Sequence, residues 1–204
     1  MQRQREKKNL STPPPGGTTI GWTFWSTASE CWRRWFLRYI LGLSPSRSQP
    51  YLTLGTVYHA LLEGKSVSEI TLWGQEYVEH IPQAMSLYKA RIEKGPPLPK
   101  AIAIEKELHL PTLPMSSRPD REEMDHGRKV VRDFKTSAIR SKDDDAYWAV
   151  NGEIIGEMMA TGADSCIVDI INKNDGKTTQ LEVQMSPAKA KALTELVEDL
   201  EQEI

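Results

Sequence analysis

The constraint that reaches furthest in this sequence is a pair of strand-like runs joined by two residues. Residues 118–136 read RPDREEMDHGRKVVRDFKT, and the runs on either side of His126–Gly127 predict a hairpin with that dipeptide as its loop. A two-residue loop sets Asp125 opposite Arg128, and every later pair follows. In that register Asp120 faces Asp133 across the hairpin, with β-carbons about 5 Å apart. Side chains alternate along a strand, so Asp133 and Lys135 share one face while Arg132 and Phe134 take the other. Two carboxylates that close repel unless something positive lies between them. Lys135 alone would make a structural ion pair, whereas a hard divalent cation taking oxygen ligands would make a site. Mg²⁺ uses one or two carboxylates, keeps waters and binds phosphate with the rest. In such a site the Phe134 carbonyl could add a ligand, and Lys135 would hold water or offset charge in a phosphoryl transition state.

The hairpin sits in the second half of an α/β pattern. Thr27 with Glu30 reads as a capping box opening a helix through CWRRWFLRYILGL. Ala28, Cys31, Trp32, Trp35, Phe36, Tyr39 and Ile40 recur at helical spacing and are expected to form one apolar face against the core. Arg33, Arg34 and Arg38 lie mostly off that face; arginines interleaved with aromatics are candidate phosphate contacts. After the LSPSRSQP loop come LTLGTVYHALLEG and further helical pieces to about residue 98. Strands are expected in AIAIEKELHL, MSSRPDREEM and RKVVRDFKT, then a helix around AYWAVNGEIIGEMMATG. DSCIVDIINK and KTTQLEVQM follow, joined by an Asn-Asp-Gly turn, and a last helix opens on Ser186 as N-cap with Pro187 at its first position. Glu105 and Glu107 read as a solvated strand face, with an additional metal-side carboxylate as the alternative.

Bulk properties bound the rest. With 204 residues, 39% hydrophobic and 26% charged, the chain has room for one core. Residues 1–20 read as a flexible arm without the apolar centre of a signal peptide, and 21–204 as one domain, helical over 21–98 and α/β over 99–204. A net charge of −2 argues against a protein that coats nucleic acid by bulk electrostatics. Even so, residues 1–50 carry eight Lys/Arg against two acids, and acids gather at 143–145 and in the last helix. Two cysteines, Cys31 and Cys166, are too few for a disulfide framework, and both are expected in the core of a protein in a reducing, cytoplasmic compartment. No apolar run approaches a membrane span. Oligomeric state is left open.

Asp120, a hairpin, then Asp133-Phe134-Lys135-Thr136 resembles the catalytic core of the PD-(D/E)XK nuclease superfamily, in the DFKT form of its RecB-like, CRISPR-adaptation-type exonuclease branch. The aromatic, arginine-rich helix ending Gly42-Leu43 and the Gly55-Thr56-Val57-Tyr58-His59 stretch resemble that branch too. The resemblance implies a restriction-endonuclease-like mixed sheet of three strands, a helix and two strands, flanked by helices. It implies that His59, Asp120, Asp133 and the Phe134 carbonyl bind or support Mg²⁺ or Mn²⁺, that Lys135 is catalytic with Asp133 and Asp120, and that Thr136 touches substrate. Lacking four cysteines, the chain is expected to carry no iron–sulfur cluster. The implied activity is hydrolysis of DNA by metal-activated water, acting on a free end or single-stranded region and leaving 5′-phosphate and 3′-hydroxyl. A structure-specific endonuclease and a non-catalytic DNA- or protein-binding relative are the alternatives. Two positions depart from the family: Ser117 stands where a glycine is usual, and Pro119 removes a ladder donor. The family's Gln-x-x-x-Tyr helix pattern has its nearest equivalent in Asn151 and Ile155, with Tyr147, Trp148, Glu153 or Glu157 as substitutes. Tyr147 and Asn151 are therefore the expected substrate contacts on that helix.

Overall fold

A computed structural model describes residues 20–43, 50–110, 112–138 and 144–203. All but the last residue of the expected arm, most of the LSPSRSQP loop and Asp143 lie outside the described residues.

The first helix, α1 (Trp22–Glu30), starts five residues before the expected cap. Thr27 is inside it, and its hydroxyl donates back to the Thr23 carbonyl at 2.6 Å, so the capping-box reading is corrected. Cys31 is extended at φ −164° and ψ 101° and separates α1 from α2 (Trp32–Trp35), which continues into a π-helical turn at Phe36–Ile40. Around this break Phe24 meets Trp25, Trp35 and Tyr39 edge-on at 5.0, 5.3 and 4.9 Å, an arrangement aromatic quadrupoles favour. The expected single apolar face is thereby split. Trp25, Ala28 and Trp35 are buried, while Trp32 and Phe36 remain 37% and 48% exposed. Cys31 is exposed as well, against expectation, and Cys166 is buried.

Among the described residues, four more helices precede the strands: α3 (Pro50–Leu62), α4 (Val67–Thr71), α5 (Gln75–Val78) and α6 (Ile81–Lys94). Of these, α4 has a full capping box between Ser66 and Glu69. The strands are β1 (Ala101–Ile104), β2 (Leu108–His109), β3 (Ser116–Ser117), β4 (Arg121–Asp125) and β5 (Arg128–Ser137). Then come α7 (Asp144–Ala149), α8 (Gly152–Thr161), β6 (Ser165–Asn172), β7 (Thr178–Gln184) and α9 (Pro187–Glu203).

The sheet is mixed, in the order β1-β4-β5-β6-β7, and β2 and β3 pair separately. The hairpin register is the expected one, from Asp125↔Arg128 to Arg121↔Arg132. His126 and Gly127 both take positive φ, 48° and 82°, as the tight loop that matches strand twist requires. β5 and β6 run parallel through the α7–α8 crossover, and β6 and β7 antiparallel. The helices before β1 do not form one layer. α3 and α6 cover the sheet face that carries Phe134 and Ile171. On the other face Trp25 and Trp35 join residues of α8 and α9 over Val131, Cys166, Val168 and Ile170.

The expected helix after β5 is broken, and Asn151 caps α8 by accepting from the amides of Glu153 and Ile154 at 2.9 and 3.3 Å. Behind that cap the backbone of Gly152 lies against Trp22. A β-carbon there would come within 2.4–2.6 Å of the indole ring, which has no flexible end to give way. Gly152→Ala is expected to destabilise the fold by about 1–3 kcal/mol, read as a fall of several degrees in Tm.

Candidate active site

β5 outruns its hairpin partner. The β4 ladder stops at Arg121↔Arg132, so from Asp133 onward the strand lacks a β4 neighbour. Pro119, with no amide to donate, precedes the residue that fills this gap. Asp120 turns its carboxylate into the strand's place and accepts the Phe134 amide at Oδ2, 2.7 Å away. The N–H and C=O of one strand residue point the same way, so the Phe134 carbonyl faces the same open side.

Two further groups converge on Asp120. α3 carries His59, whose Nδ1 lies 3.2 Å from Asp120 Oδ1. β1 ends at Ile104, and Glu105 adopts φ +50°, a left-handed conformation that costs a non-glycine residue about 1 kcal/mol or more. Glu105 is half-buried rather than on the solvated strand face expected for it, and Glu107, outside any strand, is exposed. The Glu105 carboxyl stands beside that of Asp120 and accepts from Arg118 Nε at 2.8 Å. One ligand atom each from His59, Glu105 and Asp120 lies within 4.8 Å of the others, a nitrogen-and-oxygen donor set suited to a divalent cation.

On the α8 side of β5, Lys135 Nζ pairs with Asp133 Oδ1 at 2.8 Å and with Glu153 Oε2 at 3.2 Å. Asp133 and Glu157 are only 2% and 3% exposed, and Asp133 Oδ2 and Glu157 Oε2 have no hydrogen-bond partner among the described residues. A buried carboxylate oxygen without a donor is costly, and a cation ligand position is one way to relieve it. The donor set and the orphaned Asp133 oxygen both fit a divalent ion.

The electrostatics follow from burial opposed by partners. Burial raises Asp133, Lys135 counters it, and the Asp120 and Glu153 charges help leave it at about 7. Burial and the Asp120 charge raise Glu105 to about 7. For His59 burial works downward, yet the charge and hydrogen bond of Asp120 carry it up to about 8. Asp120 goes the other way: burial would raise it, but His59, Lys135 and the Phe134 amide hold it well below the usual carboxylate range. Lys135, despite burial, is raised by Asp133, Glu153 and Asp120. Burial, with Asp133 and Glu153 nearby, keeps Glu157 protonated far above the ordinary range.

A stability profile follows. Asp133 and Glu105, with ordinary values of 3.8 and 4.5, keep protons in the folded state that the unfolded chain has released by pH 6. Stability they contribute is lost as pH rises through about 7. His59 acts in the same direction, its contribution being lost through about 8. Asp120, with the opposite sign, titrates only in acid. Without divalent cations the protein is therefore expected to melt several degrees lower at about pH 8.5 than at about pH 5.5, and Mn²⁺ to narrow the gap. A Tm in EDTA that rises over that range would contradict the buried cluster.

The remaining expected contacts are dispersed. Arg33 and Arg34 are exposed on α2, where Arg34 pairs with Glu30 at 3.2 Å. Arg38 lies in the π turn, 5.3 Å over the Tyr39 ring. Thr136 stands on β5 beside Gly55 of α3. Tyr147 is exposed and stacks edge-on against Trp148. Asn151 is buried with its amide oxygen committed to the α8 cap, and Ile155 is in the core. Two acids, Glu105 and Glu153, thus join the site more directly than sequence reasoning placed them. Nothing local marks the Glu105 kink. Glu153 and Glu157, however, have the four-residue spacing of Gln-x-x-x-Tyr, two positions beyond the pair chosen.

Residues 23–71 match the family model of the PD-(D/E)XK nuclease superfamily; the match includes His59 and stops before Asp120. The resemblance to that superfamily therefore rests on a family model as well as on the motifs. Among solved structures, an exonuclease candidate from Eubacterium rectale is 15% identical, with 89% of this chain and 77% of that one covered and a TM-score of 0.55; the two share a fold. An alkaline exonuclease from Laribacter hongkongensis is 13% identical over 81% of this chain and 84% of its own, at a TM-score of 0.39, too slight a likeness to argue from. No curated protein matches the sequence.

Proposed function

We propose that the chain is a divalent-cation-dependent nuclease that hydrolyses DNA, working from an end or on single-stranded regions. The observation that carries the reading is the convergence of His59, Glu105 and Asp120, a group that does not itself include Asp133, together with a buried Asp133 whose second oxygen has no hydrogen-bond partner among the described residues. His59, Asp120 and Asp133, joined by Glu105 and the Phe134 carbonyl, would hold Mg²⁺ or Mn²⁺. Bound there, the ion would supply positive charge to polarise a phosphoryl oxygen and to make water more acidic.

The chain's own groups supply the rest. Lys135 stays protonated because its carboxylate neighbours raise it, so it acts as a charged hydrogen-bond donor to the reacting phosphate rather than as a base. Asp120 keeps its negative charge and positions His59 through their hydrogen bond. Thr136 and Tyr147, with the arginines of α2 and the π turn, are the proposed contacts to the nucleic acid, phosphate binding falling to Arg33, Arg34 and Arg38. No described helix is long and apolar enough to cross a membrane.

The test is incubation with linear single-stranded, linear duplex and closed circular DNA in Mg²⁺, Mn²⁺ or EDTA. Progressive loss of linear DNA with either metal, abolished by EDTA and leaving circles intact, is expected. Cutting of circles would replace the exonuclease with an endonuclease on the same core. Failure to cut any of the three with either metal would overturn the enzyme.

A further inference from the structure

Lys135 has two acidic partners with different duties. Its Nζ lies 2.8 Å from Asp133 Oδ1 and 3.2 Å from Glu153 Oε2, and the Trp148 ring stands 5.9 Å away. Asp133 is one of the groups proposed to hold the cation. An ammonium and a divalent cation compete for the same carboxylate charge, so a lysine anchored by Asp133 alone would either weaken the cation site or be displaced from it. Glu153 stands outside that competition. It belongs to α8, not to β5, and is half-exposed. Its own amide is fixed to the Asn151 cap at 2.9 Å, and the helix start is packed on Trp22 through Gly152.

We propose that Glu153 is a positioning residue that holds the Lys135 ammonium at the reacting phosphate while Asp133 is committed to the cation. This deepens the nuclease reading and rests on it. The crossover helix then has a chemical duty beyond covering the sheet. Its first turn offers a second carboxylate for the lysine, and the Asn151 cap with the Gly152–Trp22 contact determines where that carboxylate stands. Trp148, at the end of the preceding helix, limits where the ammonium can go when Asp133 releases it, by a cation–π contact.

Glu153→Gln separates this role from a structural one because it keeps the side-chain shape and removes only the charge. Three quantities are measured on the full chain: kcat and KM on labelled single-stranded DNA at saturating Mn²⁺, Mn²⁺ affinity from the free-ion electron paramagnetic resonance signal, and Tm. The variant is expected to melt with the wild type and to keep its KM. Its kcat should fall roughly 10- to 100-fold through loss of positioning, and Mn²⁺ should bind about two- to fivefold more weakly as the ammonium returns to Asp133. In a Lys135→Ala background the same substitution should change neither residual cleavage nor Mn²⁺ affinity by more than about twofold, because the interaction it removes is already gone. Equal losses in both backgrounds, or unchanged kcat and Mn²⁺ affinity in the single variant, would overturn the inference alone. A wild type that cleaves no DNA would overturn the nuclease reading and this inference together.

Discussion

Lys135→Ala is expected to lower kcat for metal-dependent DNA cleavage by ~10²–10³-fold, the usual loss when one preorganised donor to a developing charge is removed. KM should stay near wild type, because the ammonium acts on charge that develops at the reacting phosphate in the transition state, while ground-state phosphate binding falls to Arg33, Arg34 and Arg38. Metal binding should persist, since His59, Glu105 and Asp120 are untouched. Its pH dependence should move. Lys135 is the group that most opposes the burial-driven rise of Asp133, so without it Asp133 holds its proton to higher pH and Mn²⁺ binding shifts upward in pH with it. Lys135→Arg is expected to rescue poorly, because a planar guanidinium cannot stand as a compact charge between Asp133 and Glu153. Single-turnover rates across pH 6 to 9 check all of this. A Lys135→Ala protein that cleaves at the wild-type rate would remove the lysine from the mechanism.

The second large effect is on stability and comes from the opposite face of the sheet. Asp169 of β6 is fully buried and accepts from Arg91 Nε and Nη2 at 3.0 and 2.7 Å, from Arg132 Nη1 at 3.0 Å and from Gln180 Nε2 at 2.7 Å. Arg132 also reaches Glu123, which Arg121 holds at 2.6 Å from β4. Three guanidiniums and two carboxylates thus tie α6 to three strands in the interior. Asp169→Asn leaves Arg91 and Arg132 charged and buried around a neutral amide. Removing one member of a buried charged pair costs about 3–5 kcal/mol, which for a chain this size lowers Tm by roughly 10 °C. The loss should extend to function, because Arg132 immediately precedes Asp133 on β5 and its anchoring keeps the strand's site residues turned toward α8. Thermal melts and a cleavage assay well below the variant's Tm separate the two effects. A melt within a degree of wild type would mean that the network contributes little beyond shape.

The two predictions draw on the two faces of β5, Lys135 on one and Arg132, the partner of Asp169, on the other, and the sequence made that alternation legible. Val130 to Thr136 is short, and its neighbour across a two-residue loop is at hand, so face and register were both computable. The network on the far face was not. Arg132 was visible as a residue pointing away from Asp133, but a charged side chain facing away from a site is ordinarily solvated. Only the packing of Arg91, 78 positions from Asp169, turns that face into a buried ionic cluster.

The N-terminal helix shows the converse failure. Its apolar spacing is that of one continuous helical face, but an extended Cys31 breaks the helix, and Phe24 packs edge-on against Trp25, Trp35 and Tyr39 across the bend. The single helix expected after β5 is two, α7 and α8, with Asn151 as the cap of the second, and of the pair expected to contact substrate, Asn151 is that cap and Ile155 a core residue.

By itself, then, the sequence determined what depends on neighbours a few residues apart: the hairpin, the faces of Asp133, Phe134 and Lys135, and the Ser186 cap; Asp120 it brought to β5, although the ladder ends before the expected Asp120–Asp133 pair and the contact made is with the Phe134 amide. Tight turns and strand alternation are local and leave few alternatives. Tertiary structure decided how the distant groups meet, His59 and Glu153 having been candidates already and Glu105 having been expected on a solvated face. His59 comes from α3, Glu105 from a strained residue past β1, and Glu153 from the crossover helix. Their meeting depends on how helices seat on a sheet, and that is set by the packing of two cores drawn from the whole chain, which no local pattern encodes.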